Sequence, residues 1–259
     1  MKRLFLIVAM AAILSGCIAG GTGNYRVSLQ SKRITSINAT QGPVRYGETA
    51  QRFEVREGDC GSNGSWNDCT KDRERSELLG PAHYGGPHWY AWSIYLPEDY
   101  PNIYPTKTAL GQFHLAGNGV SVMFQNQSWY GRGGGLWVDR FVSSQSSIQD
   151  EIISEEDLRG KWHDILVKAV WSKGDDGEFT VWVNGVEKYT YKGFTSLNGS
   201  SVSHKYGIYR SFVSRYKFMN GDDVPVPTQV VYYDEVRYGR TRAEVDIRMI
   251  EKQSIASTE

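Results

Sequence analysis

The chain has 259 residues, with 29 basic and 29 acidic side chains and a formal net charge of zero. A nucleic-acid-binding protein would show a basic excess, so the charge balance disfavours that class and we expect no nucleic-acid partner. Aromatic residues make up 13% of the chain and charged residues 22%, a composition that excludes a disordered chain and predicts a folded core.

The N-terminal segment has the pattern of an export signal, in which a basic start precedes an apolar run at residues 4–14. That run is shorter than the roughly 20 residues of a membrane-spanning helix. Leu14-Ser15-Gly16-Cys17 resembles the bacterial lipobox, which implies cleavage after residue 16 and lipidation of Cys17. Ile18, in place of an aspartate, favours the outer membrane. We therefore expect a signal peptide over 1–16, a lipidated tether over 17–23 and one domain over 24–259, held at the cell envelope by the lipid alone.

Two cysteines remain in the exported chain, Cys60 and Cys69. An even number of cysteines in an oxidising compartment predicts a disulfide, here one that closes a short loop rich in glycine and asparagine. A zinc site is disfavoured because no second Cys or His pair lies at metal-ligand spacing.

Short runs of alternating apolar and polar residues, separated by Gly, Asn, Asp and Pro, predict a series of β-strands. In chain order they are Gln51–Val55, Asp72–Leu79, Trp89–Leu96, Thr108–Leu115, Gly119–Gln125, Trp162–Trp171, Phe179–Val183, Val186–Tyr191, Ser203–Tyr209 and Gln229–Tyr238. The segment Ile148–Leu158 predicts a short helix, because Ser154 and Asp157 have capping-box spacing. The glycine run at 131–135 predicts a flexible hairpin or a groove-edge loop, and the tail from Arg240 a strand end or a short helix. Many strands and little helix predict an all-β sandwich of two antiparallel sheets.

Alternation along three strands assigns one face to the core and the other to solvent. Phe113 and Leu115 share the core face of their strand, so Gln112 and His114 point outward. In the same way, Tyr206 and Ile208 belong to the core, and the outward face of that strand carries Lys205 and Tyr209. On the strand Asp72–Leu79, the outward residues are Arg73, Arg75 and Glu77. Together they form a polar candidate site.

Three stretches carry a resemblance: Arg75-Ser76-Glu77-Leu78, Gln112-Phe113-His114 and Lys205-Tyr206-Gly207-Ile208-Tyr209. In this order they resemble the signature blocks of the β-jelly-roll polysaccharide lyases, in particular heparin lyase I-like and glucuronan lyase-like proteins, with blocks of the alginate lyase type. Leu79 stands where the alginate-type block has a second arginine. The resemblance spans most of residues 51–239. It implies a concanavalin A-like β-jelly-roll that cleaves uronic-acid-containing polysaccharides by β-elimination.

The resemblance also implies roles for individual residues. Arg75 and Gln112 would neutralise the uronate carboxylate, and Tyr209 would protonate the leaving oxygen. Either Tyr209 or His114 would remove the C5 proton, depending on the stereochemistry of the sugar. Lys205 and Arg73 would bind substrate. Independently of the resemblance, Trp129, Trp89 and Trp137 are candidates for stacking on a sugar ring, with core packing as the alternative for each.

Two other functions stay open on sequence grounds. A glycoside hydrolase of the same fold would need paired carboxylates on one strand face, and the Glu-x-Asp-x-x-Glu spacing is absent from the chain. A carbohydrate-binding lipoprotein without activity would keep the fold but needs no cluster of Arg, Gln, His and Tyr. In that case Arg75 and Glu77 would form a surface ion pair and Tyr209 would only pack. We expect a monomer that requires no cofactor; a structural Ca²⁺ would take Asp234 and Glu235 as ligands.

Overall fold

A computed structural model describes residues 24–117, 119–127, 133–144 and 146–257. Within these residues the strands form two antiparallel sheets of seven strands each. The strands are β1 (Arg26–Val27), β2 (Ile34–Asn38), β3 (Thr49–Val55), β4 (Arg73–His83), β5 (Gly85–Tyr95), β6 (Lys107–Leu115), β7 (Val120–Gln127), β8 (Gly133–Phe141), β9 (Ser147–Ile153), β10 (Trp162–Trp171), β11 (Glu178–Val183), β12 (Val186–Lys192), β13 (Val202–Ser211) and β14 (Gln229–Gly239). The predicted all-β jelly-roll sandwich is confirmed.

The sheet that we call the front sheet has the strand order β1-β4-β13-β6-β7-β8-β9, and the back sheet has the order β12-β11-β10-β5-β14-β3-β2. Large apolar side chains fill the space between them. Phe53, Phe113, Trp171, Tyr206 and Tyr233 are fully buried there. Since Phe113 and Tyr206 face this core, their neighbours along β6 and β13 face outward, as the alternation predicts.

The remaining regular elements are short helices. They are α1 (Glu155–Leu158), α2 (Ser214–Asn220), α3 (Arg242–Val245) and α4 (Ile247–Ala256), together with a 3₁₀ turn at Cys69–Lys71. The tail beyond Arg240 is therefore helical, and Val245 of α3 packs on the back sheet against Ala91 and Leu166. No helix among the described residues combines the length and apolar character needed to cross a bilayer.

One of the predicted elements is wrong. Most of the predicted helix at Ile148–Leu158 is the edge strand β9, and only Glu155–Leu158 is helical. The edge strand pairs with β8 alone and leaves Ile148 49% exposed, so its sequence carries charges instead of a regular alternation. The error arises because pairing with a neighbouring strand overrides local sequence preference. At the glycine run, β8 begins at Gly133 and pairs antiparallel with β7.

The disulfide between Cys60 and Cys69 is confirmed, with 5.3 Å between the two Cα atoms. It closes the loop that leads into β4, so the staple lies directly before the first strand of the candidate site. The leader, the tether and Cys17 lie outside the described residues.

Replacing both cysteines by serine should lower the free energy of unfolding by about 2.5 kcal/mol, because the open loop gains chain entropy in the unfolded state. Chemical denaturation of the variant and the oxidised protein measures this difference. Reduced wild-type protein should show the same loss. Equal stability of all three forms would contradict the prediction.

Candidate active site

Three adjacent strands of the front sheet bring the polar blocks together. β13 lies between β4 and β6, and Arg75 stands opposite Tyr209 while Gln112 stands opposite Lys205. His114, two residues along β6 from Gln112, stands opposite Ser203. These side chains share the outer face of the front sheet, because the residues between them fill the core. The residues expected to carry out the reaction, Arg75, Gln112, His114 and Tyr209, thus lie on one face of the sheet, together with Lys205.

Arg75 is held in place by two carboxylates. Its Nε and Nη2 donate to Asp68 Oδ2 and Oδ1 at 2.5 and 2.6 Å, which is the two-point geometry that a guanidinium favours. Nη1 donates to Glu77 Oε2 at 3.2 Å. The guanidinium carbon lies 4.5 Å from the centre of the Tyr209 ring. Arg75 is 4% exposed and Glu77 2%, so the ion pair between them is buried and not a surface pair.

Glu77 links the site across the strands. Its Oε1 accepts a hydrogen bond from Gln112 Nε2, and its Oε2 lies 3.5 Å from Lys205 Nζ. Gln112 is almost fully buried, and the bond to Glu77 fixes the orientation of its amide. The side chains of Arg75, Gln112 and Lys205 therefore converge on one carboxylate, and each is fixed by it.

A glycine allows the backbone of β13 to lie close to that of β4. Gly207 has a φ of +121°, and a Cβ atom there would lie 2.2 Å from the carbonyl oxygen of Ser76 and 2.9 Å from Glu77 Cα. Any larger residue would force β13 away from β4. The glycine between Lys205 and Tyr209 thus keeps Arg75 and Tyr209 opposite each other.

Tyr209 is partly buried, and burial raises the pKa of its hydroxyl, although the charges of Arg75 and Arg73 oppose the rise. The hydroxyl therefore carries its proton at neutral pH. It can donate that proton, and the neighbouring guanidinium at 4.5 Å would stabilise the phenolate that remains.

His114 has the opposite character. Its Nδ1 lies 2.8 Å from the carbonyl oxygen of Leu115, so Nδ1 carries the proton and Nε2 keeps a lone pair. Burial, reinforced by the charge of Lys205, lowers the pKa of His114 to about 4. His114 is consequently neutral at pH 7 and able to accept a proton.

A family model described as polysaccharide lyase matches residues 20–237. The chain belongs to the polysaccharide lyase family. A search of curated sequences finds no match to this lyase.

Solved structures share the fold of the lyase. An endo-β-1,4-glucuronan lyase from the fungus Trichoderma reesei is 19% identical with a TM-score of 0.62, covering 87% of this chain and 94% of that one. A GH131 β-glucanase catalytic domain from Podospora anserina is 14% identical with a TM-score of 0.54, covering 87% and 88%. A family 7 alginate lyase in complex with its product is 15% identical with a TM-score of 0.50, covering 74% and 80%. Because lyases and a glucanase share this architecture, the site has to distinguish the chemistry.

The positive charge of Lys205 adds to the effect of burial in lowering the pKa of His114, and its contribution can be measured. Lys205→Met keeps an unbranched side chain but removes the positive charge that disfavours the imidazolium. The pKa of His114 should therefore rise by about one pH unit. An NMR titration of the imidazole resonances tests this, with Lys188→Met as the control, since Lys188 lies exposed on β12 of the back sheet. An unchanged titration in Lys205→Met would show that Lys205 does not act on His114.

Of the residues expected to bind substrate, Arg73 faces the same side of β4 as Arg75 and stacks over Phe212. Trp129 lies outside the described residues. Trp137 lies on the front sheet opposite Gln125, and its Nε1 donates to the carbonyl oxygen of Gly134 at 2.9 Å. Trp89 stacks on Trp182 of the back sheet, away from the candidate site on the front sheet.

Some polar residues of the candidate site could not be identified from the sequence. Asp68 is fully buried and is held by the N–H of Gly61 and by Trp66 Nε1 at 3.0 and 2.7 Å. It lies seven positions before Arg75, in a loop whose path the sequence does not show. Farther across the front sheet, Gln125 donates to Asp139, and both are buried. The only available signal for Asp68 was its place beside the disulfide residue Cys69.

The two carboxylates that were expected to bind calcium form hydrogen bonds and an ion pair within the protein. Asp234 accepts hydrogen bonds from the backbone N–H groups of Arg45, Tyr46 and Glu235, and Glu235 pairs with Arg237. The described part of the chain has no cluster of three or more His, Cys, Asp or Glu residues arranged for a metal. A structural Ca²⁺ at these residues stays a prediction.

Proposed function

We propose that this polysaccharide lyase cleaves a uronic-acid-containing chain by β-elimination and releases unsaturated oligosaccharides. The observation that carries the proposal is the convergence of Arg75, Gln112, Lys205 and Tyr209 on one face of three adjacent strands. A hydrolase would need a pair of carboxylates free to act on the glycosidic bond. Here the two central carboxylates, Asp68 and Glu77, are buried and paired with Arg75.

The reaction begins with neutralisation of the carboxylate. The uronate C5 proton becomes acidic only when negative charge developing on the carboxyl group is stabilised. Arg75 and Gln112 are held rigidly by Asp68 and Glu77, so their donors are oriented before substrate binds. Each such donor contributes about 2.7–4 kcal/mol to anion stabilisation in comparable sites.

Elimination then moves one proton to the protein and one to the leaving oxygen. A base removes the C5 proton, the C5–H electron pair forms the C4=C5 double bond, and the C4–O4 bond breaks. Tyr209 gives its proton to O4, and its phenolate faces Arg75. His114 suits the role of base, because it is neutral at pH 7 and its Nε2 keeps a lone pair.

The direct test is incubation of the purified protein with glucuronan, alginate, a heparin-like chain and a bacterial exopolysaccharide, followed by ultraviolet absorbance and mass spectrometry. A rise in absorbance, with product masses of the unsaturated oligosaccharides, supports elimination. Reducing ends without unsaturation would indicate a hydrolase, and binding without cleavage would indicate a carbohydrate-binding protein. Either result would overturn the proposal.

We also propose that the mature protein is a monomer anchored to the bacterial outer membrane by lipid on Cys17. The Cys60–Cys69 disulfide supports export, since structural disulfides persist mainly in oxidising compartments. Cys17→Ser should release the protein from the membrane fraction of cells, whereas wild type should remain there and incorporate labelled fatty acid. Membrane retention of Cys17→Ser would contradict lipid anchoring at this residue.

A further inference from the structure

Three cationic side chains converge at one end of the candidate active site. Arg73 and Lys107 are the first residues of β4 and β6, and both stand opposite Ser211, the last residue of β13. Arg215 follows in the first turn of α2. Arg73 and Ser211 are each two residues from Arg75 and Tyr209, a displacement of about 6–7 Å along the strands. We call this group, together with Phe212, the cationic end.

Phe212 is at the centre of the cationic end. The guanidinium carbons of Arg73 and Arg215 lie 4.1 and 3.8 Å from the centre of its ring. Phe212 has a φ of +61°, a left-handed conformation that is unfavourable for a bulky residue. Two hydrogen bonds hold it there: its N–H donates to Asp72 O at 3.0 Å, and Thr106 Oγ1 donates to its carbonyl at 3.3 Å. Strain of this kind is found where the surrounding structure needs the side chain in one place.

The three positive charges also repel one another. Burial lowers the pKa of Lys107 and Asp139 opposes this, while the charges of Arg73 and Arg215 make smaller contributions that lower it further. Two carboxylates lie near and are engaged: Asp139 contacts Gln125 and Lys107, and Asp72 accepts from the N–H and hydroxyl of Ser214. Among the residues that the structure describes, three cations therefore face two carboxylates, which leaves a local positive excess in a chain whose net charge is zero.

The central part of the site lacks such an excess. There Arg75 and Lys205 are balanced by Asp68 and Glu77. A polyanion that approaches the front sheet is therefore attracted by net positive charge at the cationic end and not beside Tyr209. Guanidinium groups fixed on an aromatic ring also keep their N–H edges directed for two-point binding of a carboxylate.

We propose that Arg73, Lys107 and Arg215 form a second anion subsite, which binds the carboxylate of a sugar near the one that is cleaved. The proposal rests on the proposed β-elimination and names its substrate class: a chain in which uronates are contiguous. A chain in which uronates alternate with neutral sugars would offer only one carboxylate to the site at a time.

The test compares two polymers and two variants. Arg73→Gln and Arg215→Gln should each lower kcat/KM on a uronate homopolymer about tenfold, the effect of losing one charge-assisted contact. On an alternating copolymer of the same uronate with a neutral sugar, the loss in each variant should be clearly smaller, because only one carboxylate at a time reaches the site. Lys188→Gln on β12 removes one positive charge far from the site and should change neither rate. Equal melting temperatures confirm that the variants are folded.

Equal losses on both polymers, or no loss on the homopolymer, would overturn the second subsite. Calorimetric binding of the homopolymer separates this result from failure of the proposed function. If wild type cleaves neither polymer, the elimination proposal fails, whereas weaker binding by Arg215→Gln than by Lys188→Gln would still support the anion subsite. Equal binding by these two variants would overturn it.

Discussion

Replacing Tyr209 by phenylalanine is expected to lower kcat about a thousandfold, within the range that a positioned acid or base contributes to catalysis. KM for the polymer should change little. The phenyl ring can keep its place 4.5 Å from the Arg75 guanidinium, so only the hydroxyl and its proton are lost. Initial rates of ultraviolet absorbance over a range of substrate concentrations separate kcat from KM.

Tyr206→Phe is the matched control, because Tyr206 lies on the same strand but faces the core. Its hydroxyl donates to Gln51 Oε1 at 2.7 Å, far from the reacting face. This variant should lose about 1 kcal/mol of stability from the missing hydrogen bond and keep its kcat. If Tyr209→Phe retained full activity, or if both variants lost activity equally, Tyr209 would not be the proton donor.

The outward face of the site followed from the sequence because strand alternation is a strict geometric rule. Phe113 and Tyr206 are apolar neighbours of polar residues, so the period of two assigned Gln112 and Tyr209 to the opposite face. The structure adds the register that places Gln112 opposite Lys205. Register depends on how strands far apart in the chain pair, and this is not readable from one strand at a time.

Residues outside the alternating strands were the ones missed. Asp68 sits in the disulfide loop, where no period applies, and only the folded path brings it to Arg75. Phe212 is another case, since its left-handed backbone and two stacked arginines depend on the turn between β13 and α2. The prediction for the edge strand β9 was wrong for a related reason: an exposed strand with one partner needs no regular alternation of apolar and polar residues.

The second large effect is expected from substitution of Asp68, because this residue is the fully buried ion-pair partner of Arg75. Asp68→Asn keeps the shape of the side chain but removes its charge, leaving Arg75 with Glu77 alone. The free energy of unfolding should fall by about 3–5 kcal/mol, as when one member of a buried ion pair is lost. Arg75→Gln should also destabilise the fold. The double variant should be more stable than the sum of the two single losses predicts, and chemical denaturation of the four proteins measures this coupling.

Activity distinguishes positioning from mere stability. Below its melting temperature, Asp68→Asn should have a kcat about a hundredfold below wild type, since small misplacements of a catalytic group have effects of this size. Asp59→Asn is the matched control: Asp59 precedes Cys60 as Asp68 precedes Cys69, and its carboxylate pairs with Arg33, outside the site. It should lose stability but keep kcat. A kcat unchanged in folded Asp68→Asn would make Asp68 a structural residue only. The expected loss would instead show that the disulfide loop, which the sequence indicated only as a short loop closed by two cysteines, fixes the arginine on which carboxylate neutralisation depends.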